Sequence, residues 1–266
     1  MRVNNHIELS PCKCLNYTRS RFTTQYYNSF TVCYNWIKKE TPALSECSET
    51  KDGIIQGKVE DILFLSSPID EHSKPLLFGK DIRRYSITFS DNWVNYKPDE
   101  MMLVEVERRG VGIRHGLWMR TPIIFERNKI LTRQTADEII AAYDTSFYYY
   151  ANTLHGTTIT DPSYSSEYIL AVLNSKLITW YYRTTTAEEG KVFAQIKIAL
   201  IRQLPIYKAN KFQQARLVEI VINIQQMKQI DPTTDTSALE AEIDRIVYEL
   251  YGLTDEEIKI VEGTVK

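Results

Sequence analysis

The spacing of apolar positions divides the chain into a mixed start, a strand-rich middle and a helical end. From Gln25 to Lys39, Tyr26, Phe30, Cys33, Tyr34 and Ile37 recur at steps of three and four, which predicts a short amphipathic helix. The run Ile62-Leu63-Phe64-Leu65, stopped by Ser66-Ser67-Pro68, predicts a short buried strand. Tyr85, Ile87 and Phe89 alternate with Ser86 and Thr88, and Trp93 to Tyr96 is expected to return beside them across Ser90-Asp91-Asn92. Ile123 to Phe125 and Lys129 to Thr132 flank Arg127-Asn128 as a first hairpin, and Ile139 to Tyr143 and Phe147 to Asn152 flank Asp144-Thr145-Ser146 as a second.

Beyond Pro162 the period becomes helical. Ile169, Val172, Leu173 and Leu177 share a face, after serines able to cap a helix start. Phe212, Ala215, Val218 and Ile222 form another apolar stripe, ended by Asp231-Pro232. Leu239, Ile243, Val247 and Leu250 mark a further helix, with Gly252 suited to its C-terminal end. Ser237-x-x-Glu240 and Thr254-x-x-Glu257 have capping-box form, in which hydroxyl and carboxylate satisfy the orphan amides of a helix start. Strands first and helices after predict an α+β fold: a mixed, mostly antiparallel sheet core followed by a C-terminal helical package.

At 266 residues, with 43% hydrophobic and 25% charged side chains, the chain reads as an ordinary globular protein. No apolar run approaches the roughly 20 residues of a membrane helix, and the start lacks an apolar signal core, so a membrane partner is not expected and the expected compartment is the cytoplasm. Cys12, Cys14, Cys33 and Cys47 lack the paired C-x2-C knuckles of a zinc ribbon, and His6, His72, His115 and His155 stand singly; no metal site is expected.

Charge changes the picture only when it is divided. The net value is −2, yet residues 76–133 carry eleven basic against seven acidic side chains, and 176–211 seven against two. Residues 134–175 hold none against five, and 212–266 five against eleven. Two segments are therefore basic and the tail acidic, and polyanion binding follows such local patches and not the sum.

Catalytic constellations fail on their context. Asp161-Pro162-Ser163-Tyr164 has the outline of the loop with which amino-methyltransferases grip a flipped base, but no glycine-rich turn for S-adenosylmethionine accompanies it, and it reads as a turn before a helix. Pro98-Asp99 is followed by Glu105-Val106-Glu107, with glutamate where a metal-dependent nuclease needs lysine. Gly110-Val111-Gly112 lacks the helix of a phosphate loop. No catalytic residue is assigned. What remains are basic and amide side chains at turns and strand ends: Lys80, Arg83 and Arg84 by Gly79; Arg108 and Arg109 before Gly110; Arg133, Gln134 and Thr135 at a strand end; Lys191, Gln195 and Lys197 after Gly190. Arginine and lysine fork onto guanine, glutamine onto adenine, and all of them hold phosphates, so these eleven are the candidate DNA-binding residues.

Several ordered segments also carry a family resemblance. Leu76-Leu77-Phe78-Gly79-Lys80-Asp81-Ile82-Arg83-Arg84-Tyr85, Ile130-Leu131-Thr132-Arg133-Gln134-Thr135, Tyr168 to Leu177, and Glu188 to Lys197 running on to Leu204-Pro205-Ile206 resemble the C-terminal specificity domain of TaqI-like N6-adenine DNA methyltransferases. The ending Ile243 to Thr254 resembles the close of type IIG restriction-modification polypeptides. Phe78 departs from the resemblance, standing where the family often has a basic or polar residue, and Gly53 to Gly57 only approximates its Gly-Ile-x-Thr-Gly turn. The resemblance implies a target-recognition domain over residues 46–210, a helical segment over 211–266 packed on it, and an unassigned segment over 1–45, a stub of a preceding domain. It implies double-stranded DNA as one partner and a methyltransferase catalytic domain or subunit, with or without a nuclease, as the other. S-adenosylmethionine belongs to that parent or partner domain, and this chain is expected to hold no cofactor and to be noncatalytic alone. Two alternatives stand beside this reading: a methyltransferase acting through the Asp161 to Tyr164 loop, and a protein-binding fragment docking through Phe212, Val218, Leu239 and Val247.

Overall fold

The computed structural model describes residues 37, 41–110, 112–186 and 195–264. Cys12, Cys14, Cys33, His6 and Lys191 lie outside the described residues, as does the expected Gln25 to Lys39 helix apart from Ile37, which is helical and buried.

After the helical turn α1 (Leu44–Cys47) come β1 (Ser48–Asp52), β2 (Ile55–Gln56), the turn α2 (Glu60–Leu63), β3 (Phe64–Leu65) and β4 (Ser73–Leu77). A 3-10 turn over Gly79–Asp81 opens the pair β5 (Ile82–Arg83) and β6 (Ser86–Ile87), followed by β7 (Trp93–Asn95) and α3 (Pro98–Arg109). Then follow β8 (Leu117–Trp118), β9 (Lys129–Arg133), β10 (Ala141–Asp144), β11 (Tyr149–Tyr150) and β12 (Leu154–Ile159). The remainder is helical: α4 (Ser166–Leu173), α5 (Lys176–Thr186), α6 (Ile198–Ile201), α7 (Lys211–Ile230), α8 (Ser237–Leu250) and α9 (Asp255–Thr264). The α+β order expected from the sequence holds.

The central sheet runs β1-β12-β9-β10, antiparallel throughout, and a second sheet runs β11-β4-β7-β3, with β11 parallel to β4. Successive residues of the central strands enter opposite cores, as a two-residue period requires. Ile130 and Ala141 join the core shared with the helices, whereas Leu131, Ala142 and Leu154 join the core against the second sheet. Both faces are covered, which is why Lys129, Ile130, Leu131 and Thr132 of β9 are all buried instead of alternating with exposed positions. At one end of the β9–β10 register, Lys129 stands opposite Asp144, their charges 2.5 Å apart with both side chains fully buried. Asp144 also accepts from the amides of Ser146 and Tyr148, so the pair fixes the loop that leaves the sheet.

Four strand assignments change. Ile62 and Leu63 end the helical turn α2 and only Phe64 and Leu65 are extended. The alternating stretch at Tyr85 is broken by a turn, with Tyr85 at φ 64°, so β5 and β6 pair with each other and β7 pairs with β4 and β3. Pro122 starts a 3-10 turn over Pro122–Ile124, where its fixed φ and missing N–H are harmless, so the first hairpin does not form. The two halves of the second hairpin exist as β10 and β11 but sit in different sheets. β9 and β10 pair directly instead, across residues 134–140.

The helical package follows the caps closely. Ser165 accepts from the Tyr168 amide at 3.1 Å, and Thr254 and Glu257 exchange both bonds of their box. Gly252, at φ 64°, ends α8 in the left-handed conformation that favours glycine. The Ser237 box is shifted by one residue: Thr236 is the cap position, and its hydroxyl donates to Glu240 at 2.7 Å. The stripe expected on α7 is also rotated. Gln214, Leu217, Ile220, Val221 and Ile224 are buried, whereas Phe212 is 90% exposed and Ile222 41% exposed. Gln214 sets this phase, since its amide nitrogen donates to Ser163 and Ala209 carbonyls and its oxygen accepts from the Ser165 amide.

Candidate nucleic-acid interface

Three loops meet where the two sheets adjoin. The first is the Gly79 turn. Buried Asp81 accepts from the Phe78 amide at 2.7 Å and from the Ser90 hydroxyl at 2.6 Å, fixing the turn from inside. The second is Arg133 to Thr135, where β9 ends. Thr153 joins the two: its hydroxyl accepts from the Gly79 amide at 2.9 Å and its carbonyl accepts from the Gln134 amide at 2.8 Å. A Cβ at residue 79 would lie 3.2 Å from that carbonyl, so glycine permits the close approach.

The third loop is Gln195 to Lys197. Gln195 bridges to Thr135, and the Ile196 amide donates to the Gln134 carbonyl at 2.6 Å. The Ile196 carbonyl lies 2.8 Å from Nε2 of buried His155, whose Nδ1 lies 2.7 Å from Asp52. That contact with His155 holds the Asp52 carboxyl below its ordinary range. His155 thus ties the third loop to β1 through the sheet.

Glu60, Phe64, Phe78, Gly79, Lys80, Asn92, Arg133, Thr135 and Thr153 line a concavity of about 510 Å³ at this meeting point. Lys80 and the Arg133 to Thr135 strand end, two separate segments, are therefore brought together, with Gln195 beside them. Lys80 lies 5.9 Å from the Phe78 ring centroid, and Arg83 donates to the Lys80 and Ile82 carbonyls. Among the described residues, Lys80, Arg83 and Arg133 have no carboxylate within ion-pair distance, and Nε of Arg133 is buried without a hydrogen-bond partner.

Three candidates lie elsewhere. Arg84 turns away into the helical package: its guanidinium bonds the Asn174 carbonyl, sits 2.8 Å from Glu240 and 3.6 Å from Glu138. It links the β5–β6 turn to α4 and α8 and does not line the concavity. Arg108 is held by Asp61 at 2.5 Å and by the Lys58 carbonyl at 2.8 Å. Arg109 bonds the buried carboxylate of Glu105, which also accepts from the Lys58 and Gly116 amides. Burial pushes the Glu105 carboxyl up, but those amides and Arg109 outweigh it and hold it down at about 2. Thr153, Asn92, Phe64 and His155 are members or supports of the site that no charge or motif had marked.

The Asp161 to Tyr164 loop is a turn, as its context suggested. Asp161 accepts from the Ser163 amide at 2.9 Å, and Tyr164, 7% exposed, packs on Tyr168 with centroids 6.3 Å apart. A ring so buried has no face left for a base. Among the described residues no group of histidine, cysteine and acidic side chains could hold a metal ion, and no helix is long and apolar enough to cross a membrane.

A two-sheet α+β body with cationic loops over one concavity, and helices packed behind, has the build of a restriction-modification target-recognition domain. The chain belongs to the TaqI-like C-terminal specificity domain family, whose match covers residues 74–206, half of the sequence. Arg133 to Thr135 and the Gln195 to Lys197 loop fall inside the match, and the helices α7 to α9 lie beyond it. The fold is shared with a type IIL restriction-modification enzyme, MmeI, solved in complex with DNA (TM-score 0.54, 10% identity, 85% of this chain and 36% of that one). An HsdS subunit from Thermoanaerobacter tengcongensis aligns with TM-score 0.35 at 13% identity over 86% of this chain and 52% of its own. The chain thus spans about a third of the first of these proteins and half of the second. No curated protein matches it.

Proposed function

We propose that the chain reads DNA sequence for an adenine-N6 methyltransferase or fused restriction-modification enzyme in the cytoplasm, and that chemistry and S-adenosylmethionine belong to a parent or partner domain. Lys80, Arg83, Arg133, Gln134, Thr135, Gln195 and Lys197 face the duplex, and Lys191 joins them from the sequence reading. Family membership supports the role. The observation that carries the surface is the convergence of Lys80 and Arg133 on one concavity with no carboxylate within ion-pair distance among the described residues. Phosphate contacts fix register and base-edge contacts select sequence, and both need donors that are not already neutralised within the protein. Catalysis by a partner requires the target base to leave the stack, at a cost of a few kcal/mol, so this half must hold the duplex meanwhile.

The test is a gel-shift selection from random duplexes with the full chain. Enrichment of a defined sequence is the expected outcome. Retention of every duplex equally, or of none, refutes the reading. Methyl transfer to adenine by the chain alone, followed with labelled S-adenosylmethionine, would instead place the activity in this chain.

A further inference from the structure

The concavity is not uniformly polar. Lining it with Lys80 and Arg133 are two half-buried phenylalanines from separate segments, Phe64 at the start of β3 and Phe78 just after β4, packed edge to face with centroids 5.2 Å apart. Both are held by backbone. The Phe78 amide is bound by Asp81, the next amide by Thr153, and Phe64 pairs with Val94 across the β3–β7 register. Phosphate binding has no use for an apolar lining. In the major groove the 5-methyl group is the one apolar feature of a base edge, and apolar side chains recognise it, while arginine or lysine forks onto a neighbouring guanine.

We propose that Phe64 and Phe78 determine specificity by seating the 5-methyl group of a pyrimidine, with Lys80 or Arg133 on an adjacent guanine. This rests on the DNA-reading assignment above and narrows it: the recognised sequence contains a 5-methylpyrimidine beside a guanine.

The test changes the DNA first, so protein folding does not enter. In the duplex selected by the full chain, each thymine is replaced in turn by deoxyuridine, and each cytosine in turn by 5-methylcytosine. Loss of affinity at one thymine by about four-fold, the equivalent of one buried methylene at ~0.8 kcal/mol, is the expected result. A comparable gain at one 5-methylated cytosine also supports the proposal and assigns the seat to that base. Phe78→Ser should then abolish the difference between the methylated and unmethylated duplexes while leaving the salt dependence of binding unchanged. Sequence-specific binding that ignores every methyl substitution overturns this inference and leaves the DNA-reading assignment intact. Absence of sequence-specific binding overturns both.

Discussion

Arg133 and Arg84 stand in neighbouring strand ends of one basic segment, yet the structure gives them opposite duties, and salt titration separates them. Counterion release makes the logarithm of affinity fall with the logarithm of salt by about 0.9 for each phosphate neutralised. Three of the proposed contacts, Lys80, Arg83 and Arg133, have no carboxylate within ion-pair distance among the described residues, and by that rule these three contribute about −2.7 to the slope. Between ~50 and ~200 mM salt, their contribution to affinity should then fall about 40-fold, and Arg133→Gln should reduce this to about 12-fold, a contribution near −1.8 to the slope. Arg84 is already neutralised by Glu240 and Glu138 in a setting that is mostly enclosed. Arg84→Met should leave the slope unchanged and instead destabilise the fold by roughly 2–4 kcal/mol, because removing one member of a largely buried ion pair strands the other charges. Fluorescence anisotropy on a labelled duplex at several salt concentrations gives the slopes, and denaturant unfolding gives the stability. Equal slopes for Arg133→Gln and the unaltered protein, or a slope lowered only by Arg84→Met, would refute the assignment of the cationic face.

Thr153→Val removes the acceptor of the Gly79 amide and should weaken DNA binding several-fold with a stability loss of about 1–2 kcal/mol; Thr153→Ser should restore both, and failure of that rescue in anisotropy would remove the clamp from the account. On α7, Leu217→Ala should cost roughly 2–5 kcal/mol, whereas Phe212→Ala should lie within about 0.5 kcal/mol of neutral, and denaturant midpoints check the rotated stripe directly. Glu105 is held at about 2 in the fold against an ordinary 4.5, so its contribution is present above pH 4.5 and lost as pH falls toward 2. Thermal midpoints measured across that window should fall less steeply with acid in Glu105→Gln than in the unaltered protein, from a lower starting value.

What the sequence made legible was the layout, and what it concealed was rotation and pairing. The order of strands before helices, the caps at Ser165 and Thr254, and the stop at Gly252 are local matters, decided within a few residues by backbone groups seeking partners. Strand pairing is not local. The segments at Tyr143 and Phe147 both form strands, but Asp144 serves buried Lys129 and two loop amides, and that commitment sends the following strand to the second sheet. The α7 stripe misled for a similar reason: a single glutamine, bonded to two backbone groups of the distant Ser163–Ser165 turn and to the Ala209 carbonyl just upstream, outweighs a phenylalanine at the helix start and turns it to solvent. The cationic face shows the same division. Basic residues could be found by counting, but whether an arginine is available depends on which carboxylates the fold brings to it, and those of Arg84 and Arg108 come from positions 54 or more and 47 away in the chain. Thr153 carried no charge and no motif, and its role exists only because the Gly79 and Arg133 loops end beside each other. A specificity domain built this way can exchange the side chains over the concavity without disturbing the hydrogen bonds that aim them, since the clamp is made by Gly79, Gln134 and Ile196 main-chain groups and by residues beneath the surface. Changes of target sequence should therefore map to Phe78, Lys80, Arg133 and Thr135, and changes that weaken binding to every sequence alike to Asp81, Thr153 and His155.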